Sequence, residues 1–340
     1  MTFLETLNDY KSRGLLMNQS HPTLPLIIWN YTPMTQYGGL WDEITLQCRG
    51  LVTDDKGNIV AKGFSKFFNI EEERHVATNE FEIFEKLDGF LILVFWYDGE
   101  MVVTSRGSFT SKYAIEARRV LEEKYPDFEN NGLNQFTYCF ELIGFEQIVV
   151  AYPESDLILT GVFYRNGSDI LANKLIPNIW DEFGIKIVKK FDGLDWKNIK
   201  QLNWQNAEGF VVRFSNGQRC KIKFEDYIQL HRQMTNLSTI AIWEALSSGE
   251  SVSSILTDVP DEFYGKVKEY EDDLQSEFDD IELQCQIIAK WCATLPTRKD
   301  IAEHLFTKKP KYATIIFAIL DGKDYSKMIW KLIKPKFEKI

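Results

Sequence analysis

The sequence predicts an α+β chain, a strand-rich domain over residues 1–236 followed by an all-helical domain over 237–340. Two observations carry this. Paired strand runs flank tight-turn dipeptides in the first part, and the apolar spacing turns helical in the second. In chain order, Leu91–Tyr97 and Glu100–Ser105 flank Asp98-Gly99, and a helical stretch follows over Ser111–Lys124. Phe210–Phe214 and Arg219–Phe224 then flank a turn containing Asn216-Gly217. Both dipeptides favour the positive φ angles of two-residue hairpin turns. Beyond Asn236 the helical runs are Ile240–Leu246, Tyr264–Ala293, Ile301–Phe306, Tyr312–Leu320 and Tyr325–Ile333. No internal repeat or low-complexity linker interrupts them.

The 340 residues are 44% hydrophobic and 26% charged, enough for two domains with separate cores. No apolar run is long enough to cross a bilayer, and the polar start, with Glu5 and Asp9, does not read as a signal peptide. No membrane partner is therefore expected. Five scattered cysteines (Cys48, Cys139, Cys220, Cys285, Cys292) lack zinc-ligand spacing and point to a reducing, cytoplasmic setting. The net charge of −11 argues against tight nonspecific binding of nucleic acid. Much of the acid sits in Glu269–Glu282, read as a solvated helix face, so a local basic cleft stays compatible with the total.

The chemical signal starts at Lys86-Leu87-Asp88-Gly89, a K-x-D-G that alone also fits a surface lysine before a turn. With Asn216-Gly217 as the two turn residues, Val212 pairs with Lys221 and Phe210 with Lys223. Glu208, Phe210, Val212, Lys221 and Lys223 then share one strand face. Two lysines and a glutamate over an apolar floor suit a phosphate-and-metal site. A sheet edge guarded by lysines is the competing reading. The four histidines form no spaced cluster, and no Ser/His/Asp or Cys/His arrangement offers another nucleophile.

Lys86-Leu87-Asp88-Gly89, Phe140-Glu141-Leu142, Glu208-Gly209-Phe210-Val211 and Lys221-Ile222-Lys223 resemble, in order, motifs I, III, IV and V of the covalent nucleotidyltransferases. Cys48-Arg49-Gly50-Leu51, Phe64-Ser65-Lys66-Phe67-Phe68-Asn69, Arg106-Gly107-Ser108 and Gln147–Tyr152 narrow this. With Tyr227 and Asn30-Tyr31, they resemble the single-strand RNA ligases of the T-even phages and their bacterial relatives. The resemblance covers roughly residues 26–231. Two positions depart from it: Phe90 stands where many relatives have a small hydroxyl residue, and Arg106 where they have lysine, a planar fork in place of a point charge.

The resemblance implies a nucleotidyltransferase domain of antiparallel sheets with flanking helices, and an ATP-dependent RNA ligase. Lys86 takes AMP from ATP, AMP passes to an RNA 5′-phosphate, and a 3′-hydroxyl closes the bond. A lysine attacks only as the free amine, and at pH 7 an unperturbed one is neutral about once in 2,500 molecules. A positive charge ~6 Å away at an effective dielectric near 20 costs the ammonium about 3 kcal/mol. Lys221, Lys223 and a divalent metal are the expected sources, and the lysines also stabilise charge on the α-phosphate. By the same resemblance Glu141 and Glu208 serve ribose and metal, Mg²⁺ with Mn²⁺ as a substitute. Tyr31, Arg49, Lys66, Phe68, Asp88, Gly89, Arg106, Gly209 and Tyr227 complete the ATP and phosphate contacts.

Lys323, Lys327 and Lys331, at four-residue spacing and followed by Lys334, Lys336 and Lys339, are expected on one helix face. The default is a solvated face. The sharper expectation is an RNA-contacting surface reading a shape such as a broken tRNA loop, in RNA or tRNA repair, with a separate kinase and phosphatase healing the ends. Rival readings are a ligase of nicked duplex RNA or DNA and a non-catalytic RNA-binding protein on a ligase fold. A capping guanylyltransferase ranks lower, because a small β-barrel would follow motif V where this chain turns helical.

Overall fold

The computed structural model describes the chain apart from residues 132–133, 147–148, 166, 171–182, 235–236, 257–258, 260–262 and 339–340. Two compact units are present, Met1–His231 and Arg232–Ile340. The boundary expected near Asn236 lies outside the described residues, as do Gln147, Ile148 and Lys339.

The first unit opens with helix α1 (Phe3–Ser12). The Thr2 hydroxyl accepts from the Glu5 N–H while the Glu5 carboxylate accepts from the Thr2 N–H, satisfying two end donors at once. Strands β1 (Leu16–Ser20) and β2 (Leu26–Tyr31), short helices α2 (Pro33–Tyr37) and α3 (Glu43–Gln47), then β3 (Arg49–Asp54) and β4 (Ile59–Ala61) follow. The four strands form an antiparallel sheet in chain order.

Next come β5 (Phe68–Asn69), β6 (Phe81–Lys86), β7 (Phe90–Tyr97), β8 (Glu100–Ser105), helices α4 (Lys112–Lys124) and α5 (Pro126–Asn131), and β9 (Phe136–Ile143). They are followed by β10 (Asp156–Tyr164), β11 (Asp169–Ile170), β12 (Lys186–Ile187), β13 (Lys190–Phe191), β14 (Gly209–Phe214) and β15 (Arg219–Lys223). A second sheet runs β11-β10-β9-β7-β8 with β12 parallel to β10, and a third runs β13-β6-β14-β15-β5. Ile92, Val94, Tyr138 and Phe140 pack on Ala117, Val120 and Leu121 of α4. Side chains alternate along a strand, so Leu91 and Glu141 face away from α4.

The turn at Asp98-Gly99 is the expected two-residue one. Tyr97 pairs with Glu100, and both turn residues have positive φ, +50° and +84°. The second hairpin departs from expectation. Ser215-Asn216-Gly217 forms a three-residue loop in which the Gly217 N–H donates to the Phe214 carbonyl and the Phe214 N–H to that of Gln218, both at 2.9 Å. Gly217 takes a left-handed φ of +84°, and Asn216 Oδ1 accepts from the Gln218 N–H, the geometry of a bulged turn. One extra residue reverses the pairing of faces. Val211, not Val212, pairs with Lys221, and Gly209, not Phe210, with Lys223. Phe210 and Val212 instead lie in the core with Cys220, Ile222 and Tyr227. Tyr227 belongs to helix α6 (Glu225–Met234), which the strand-and-turn reading of this region lacked.

The second unit holds α7 (Thr239–Ser248), α8 (Tyr264–Cys292), α9 (Arg298–Lys308), α10 (Ala313–Leu320) and α11 (Ser326–Leu332). On α8, Val267, Leu274, Phe278, Ile281, Cys285, Ala289 and Cys292 form one buried stripe. Asp272, Asp273, Glu277, Asp279 and Asp280 are exposed, the solvated acidic face expected of that run. The lysine face is shorter than expected. α11 begins at Ser326 and carries Lys327 and Lys331, whereas Lys323 precedes it and lies 3.3 Å from an Asp321 carboxylate oxygen. No helix of the described residues is long and apolar enough to cross a membrane.

Candidate active site

Strands β6, β14 and β15 lie side by side, and their register places Lys86, Gly209 and Lys223 in one row. The next row on that face is Phe84, Val211 and Lys221, and the third is Glu82, Arg213 and Arg219. The glycine at the centre of the first row leaves room for both lysine side chains to converge. Lys86 Nζ lies 2.7 Å from Glu208 Oε1, and Lys223 Nζ lies 3.8 Å from the same oxygen.

Strict alternation would put Glu208 on the core side with Phe210. Gly209 breaks the alternation with a φ of +152°, a left-handed-side value that favours glycine. A Cβ there would sit 2.0 Å from the Ile222 carbonyl oxygen, so the position also excludes side chains by contact. Glu208 is 4% exposed, and its partners are the two lysines, the pairing that a buried carboxylate requires.

This face forms one wall of an open cleft, with Lys86, Phe84, Val211, Arg213 and Arg219 among its lining. The second sheet supplies Leu91, Glu141, Thr160, Gly161 and Asp169 opposite, and Arg49, Phe64 and Phe67 complete it. Burial pushes the Glu141 carboxyl up to about 7, and the negative charges of Glu208 and Asp88 add to the effect. Lys86 and Arg49 oppose it. Deeper in, Asp169 Oδ2 accepts from Arg213 Nε at 2.9 Å and from Arg219, and Arg213 also donates to Glu82 at 3.0 Å. This network was not singled out from the sequence, because the correct register is needed to set Arg213 opposite Arg219.

Asp88 spends its carboxylate on a staple. Oδ2 accepts from the N–H groups of Val149 (3.3 Å) and Val150 (2.9 Å), and Oδ1 accepts from the Tyr227 hydroxyl at 2.9 Å. The Asp88 N–H donates to the Tyr152 hydroxyl at 3.0 Å. Gly89 packs so closely on β9 that a Cβ would meet the Leu142 carbonyl at 2.4 Å. Phe90 stacks on Tyr113 of α4, with ring centroids 3.9 Å apart.

A separate group gathers the expected residues Tyr31 and Phe68 on Trp41, whose ring meets theirs edge to face at 5.0 and 5.6 Å. Lys66 Nζ lies 5.4–5.9 Å from all three ring centres. The Arg106 guanidinium lies 5.4 Å over Tyr31 and donates to its hydroxyl at 3.4 Å. Arg49 lies 6.0 Å over Phe67. Trp41 and Arg74, the latter 5.0 Å over Phe68, belong to this group and no sequence motif indicated them. Among the described residues no cluster of three or more His, Cys, Asp or Glu forms a metal cage. All five cysteines are free and buried.

Residues 47–228 match the model of the family described as RNA ligase. A protein named "Putative bifunctional polynucleotide kinase/RNA ligase", of Autographa californica nuclear polyhedrosis virus, is 25% identical over 227 residues. That match covers 56% of this chain and 32% of the viral protein, so the chain spans about a third of that relative's length. Among solved structures, an archaeal ATP-dependent RNA ligase is similar with a TM-score of 0.48 and 15% identity, over 78% of this chain and 74% of that one. The RNA ligase of Naegleria gruberi with PPi has a TM-score of 0.39 and 18% identity, over 45% of this chain and 52% of that one.

Proposed function

The chain belongs to the RNA ligase family, and from that premise we propose that it joins RNA 5′-phosphate and 3′-hydroxyl ends using ATP, with AMP carried on Lys86. The observation that carries the reading is the row Lys86–Gly209–Lys223 with the Glu208 carboxylate bridging its two amines.

The Glu208 carboxylate holds the Lys86 ammonium in this arrangement, and attack requires that ammonium to give up a proton, to the carboxylate or to solvent, and to leave the pair as the free amine. Lys86 Nζ then bonds to the α-phosphorus, the bond to the β-phosphate oxygen breaks, and pyrophosphate leaves with the electron pair. Lys223 and Lys221, on adjacent rows of the same face, stabilise the negative charge that builds on the α-phosphate. An RNA 5′-phosphate oxygen next displaces Lys86 from the adenylate. The 3′-hydroxyl finally attacks that 5′-phosphorus and AMP departs.

The donor set fits a hard divalent cation. Glu208 and Glu141 are two neighbouring carboxylates, one of them pushed up to about 7 partly by the charge of the other. Mg²⁺ is held by one or two carboxylates together with substrate phosphates, and Mn²⁺ accepts the same oxygen donors. Bound there, it supplies positive charge against the phosphates. Arg49, Lys66 and Arg106 serve the phosphates; Phe67 carries Arg49, and Tyr31 and Phe68 carry the other two. Asp88 and Tyr227 act through the staple that holds the Lys86 turn.

Residues 1–236 are the adenylyltransferase domain in this reading. The helical domain, 237–340, selects the RNA, such as a cleaved tRNA in repair. Lys327 and Lys331 on one helix support this. The name of the viral relative, which couples kinase and ligase, supports end-healing enzymes as partners. The buried free thiols support a reducing cytoplasm. The test is to incubate the protein with ATP, Mg²⁺ and single-stranded RNA bearing a 5′-phosphate and a 3′-hydroxyl, with nicked duplex RNA and nicked DNA beside it. Joining of the single strand, absent in Lys86→Ala, is expected. Joining confined to nicked duplexes would replace the substrate, and no joining of any would remove the ligase reading.

A further inference from the structure

We propose that the exposed face of α8 joins two copies of this chain in an antiparallel, two-fold dimer. Leu283, Ile287 and Trp291 of this helix are 57%, 59% and 47% exposed. At 3.6 residues per turn the three fall within about 80° of one another, on the side of α8 opposite its buried stripe. Scattered exposed apolar side chains are ordinary. Three stacked at four-residue spacing form a seam of the kind that one helix buries against another. Trp291 is braced by His304 of α9, whose ring centre lies 4.4 Å from its own.

A second copy is the occupant that the charges on this face select. Asp280 comes one turn before Leu283, and Lys290 one turn after Ile287. The order acid, apolar, apolar, base is its own complement when a second helix runs the other way. In that register Leu283 meets Ile287 of the second copy, and Asp280 meets its Lys290. Two-fold symmetry repeats both contacts, so four aliphatic side chains lie between two ion pairs. Asp280 and Lys290 are both exposed, and no opposite charge stands three or four residues from either along the helix. In-register parallel pairing would instead set Asp280 on Asp280 and Lys290 on Lys290, which like-charge repulsion opposes. The acidic run before Leu283 disfavours an anionic lipid surface as the occupant. A single helix pair is a small interface, so association in the micromolar range is expected.

The experiment is sedimentation velocity of the full chain, without nucleotide or RNA, from about 1 to 100 µM. Wild type should pass from monomer to dimer across that range and go no further. Ile287→Asp sets a charge at the centre of the seam twice per dimer, and should raise the dissociation constant about 100-fold or more. Its circular dichroism should match wild type, because the side chain is exposed opposite the buried stripe. Asp280→Lys and Lys290→Asp should each weaken self-association about ten-fold. An equimolar mixture of the two should restore it, since every charge then meets its opposite. Should Ile287→Asp lose its helix, the mixture alone decides. Wild type that stays monomeric at 100 µM, a dimer indifferent to a folded Ile287→Asp, or a mixture without recovery would each overturn the proposal. Growth beyond the dimer would overturn it too, because a two-fold contact is closed.

Discussion

Replacing Glu141 by Gln should stabilise the protein above pH 7 while impairing it as a catalyst. Folding moves this carboxyl from 4.5 to about 7, chiefly through burial. Between those values the unfolded chain has released the proton and the folded chain holds it. Stability therefore falls as pH rises through the window, and the loss is complete above pH 7. At about 1.4 kcal/mol per pH step, the carboxyl costs at most about 3 kcal/mol there. The amide cannot ionise, so Glu141→Gln should gain that amount at pH 8 and nothing at pH 4.5 or below. For a unit of this size the gain raises Tm by about 5 °C or more. The assay is thermal or urea unfolding of both proteins from pH 4 to 8, with chelator present. Adenylylation by the variant should be slower. Equal stability at pH 8, or the same difference at both ends of the range, would refute the reasoning.

Other perturbations test the scaffold. Asp88→Asn weakens the acceptor of two backbone N–H groups and the Tyr227 hydroxyl, and should cost about 2–3 kcal/mol in urea unfolding, against about 1 kcal/mol for Tyr227→Phe. Gly209→Ala forces a Cβ onto the Ile222 carbonyl, so the hairpin must shift; a loss of about 1–3 kcal/mol is expected, together with reduced adenylylation. Asp169→Asn leaves Arg213 and Arg219 facing each other across the strands, and should lower stability by about 3 kcal/mol with little relief from salt.

The residues that reach Lys86 were legible to different degrees. Glu141 and Glu208 sit within short motifs whose order survives in the sequence, but Glu141 lies on the second sheet, across the cleft from Lys86, a meeting that no single strand pairing reveals. The face on which Lys221 and Lys223 lie was not legible, because one loop residue at Ser215 reverses it while the Asn-Gly signal stays the same. Glu208 itself reaches the lysines through an unusual φ at Gly209, which alternation cannot anticipate. The Asp169–Arg213–Arg219 network joins residues far apart in the chain, and Arg74 reaches Phe68 through a turn at Glu73, a non-glycine residue with a left-handed φ of +50°. Helix α6 was hidden because it starts just after strand β15 ends, with only Phe224 between them. The longer helices of the second unit, by contrast, announced themselves through a buried stripe such as that of α8.

The most direct test of the central claim is to find which residue carries AMP. The protein is incubated with ATP and Mg²⁺, digested under conditions that preserve a phosphoramide bond, and its peptides are mapped by mass spectrometry. The account predicts adenylate on the peptide containing Lys86 and on that lysine alone. Adenylate on Lys221, Lys223 or any other residue, or none on a folded protein that still joins RNA, would contradict it.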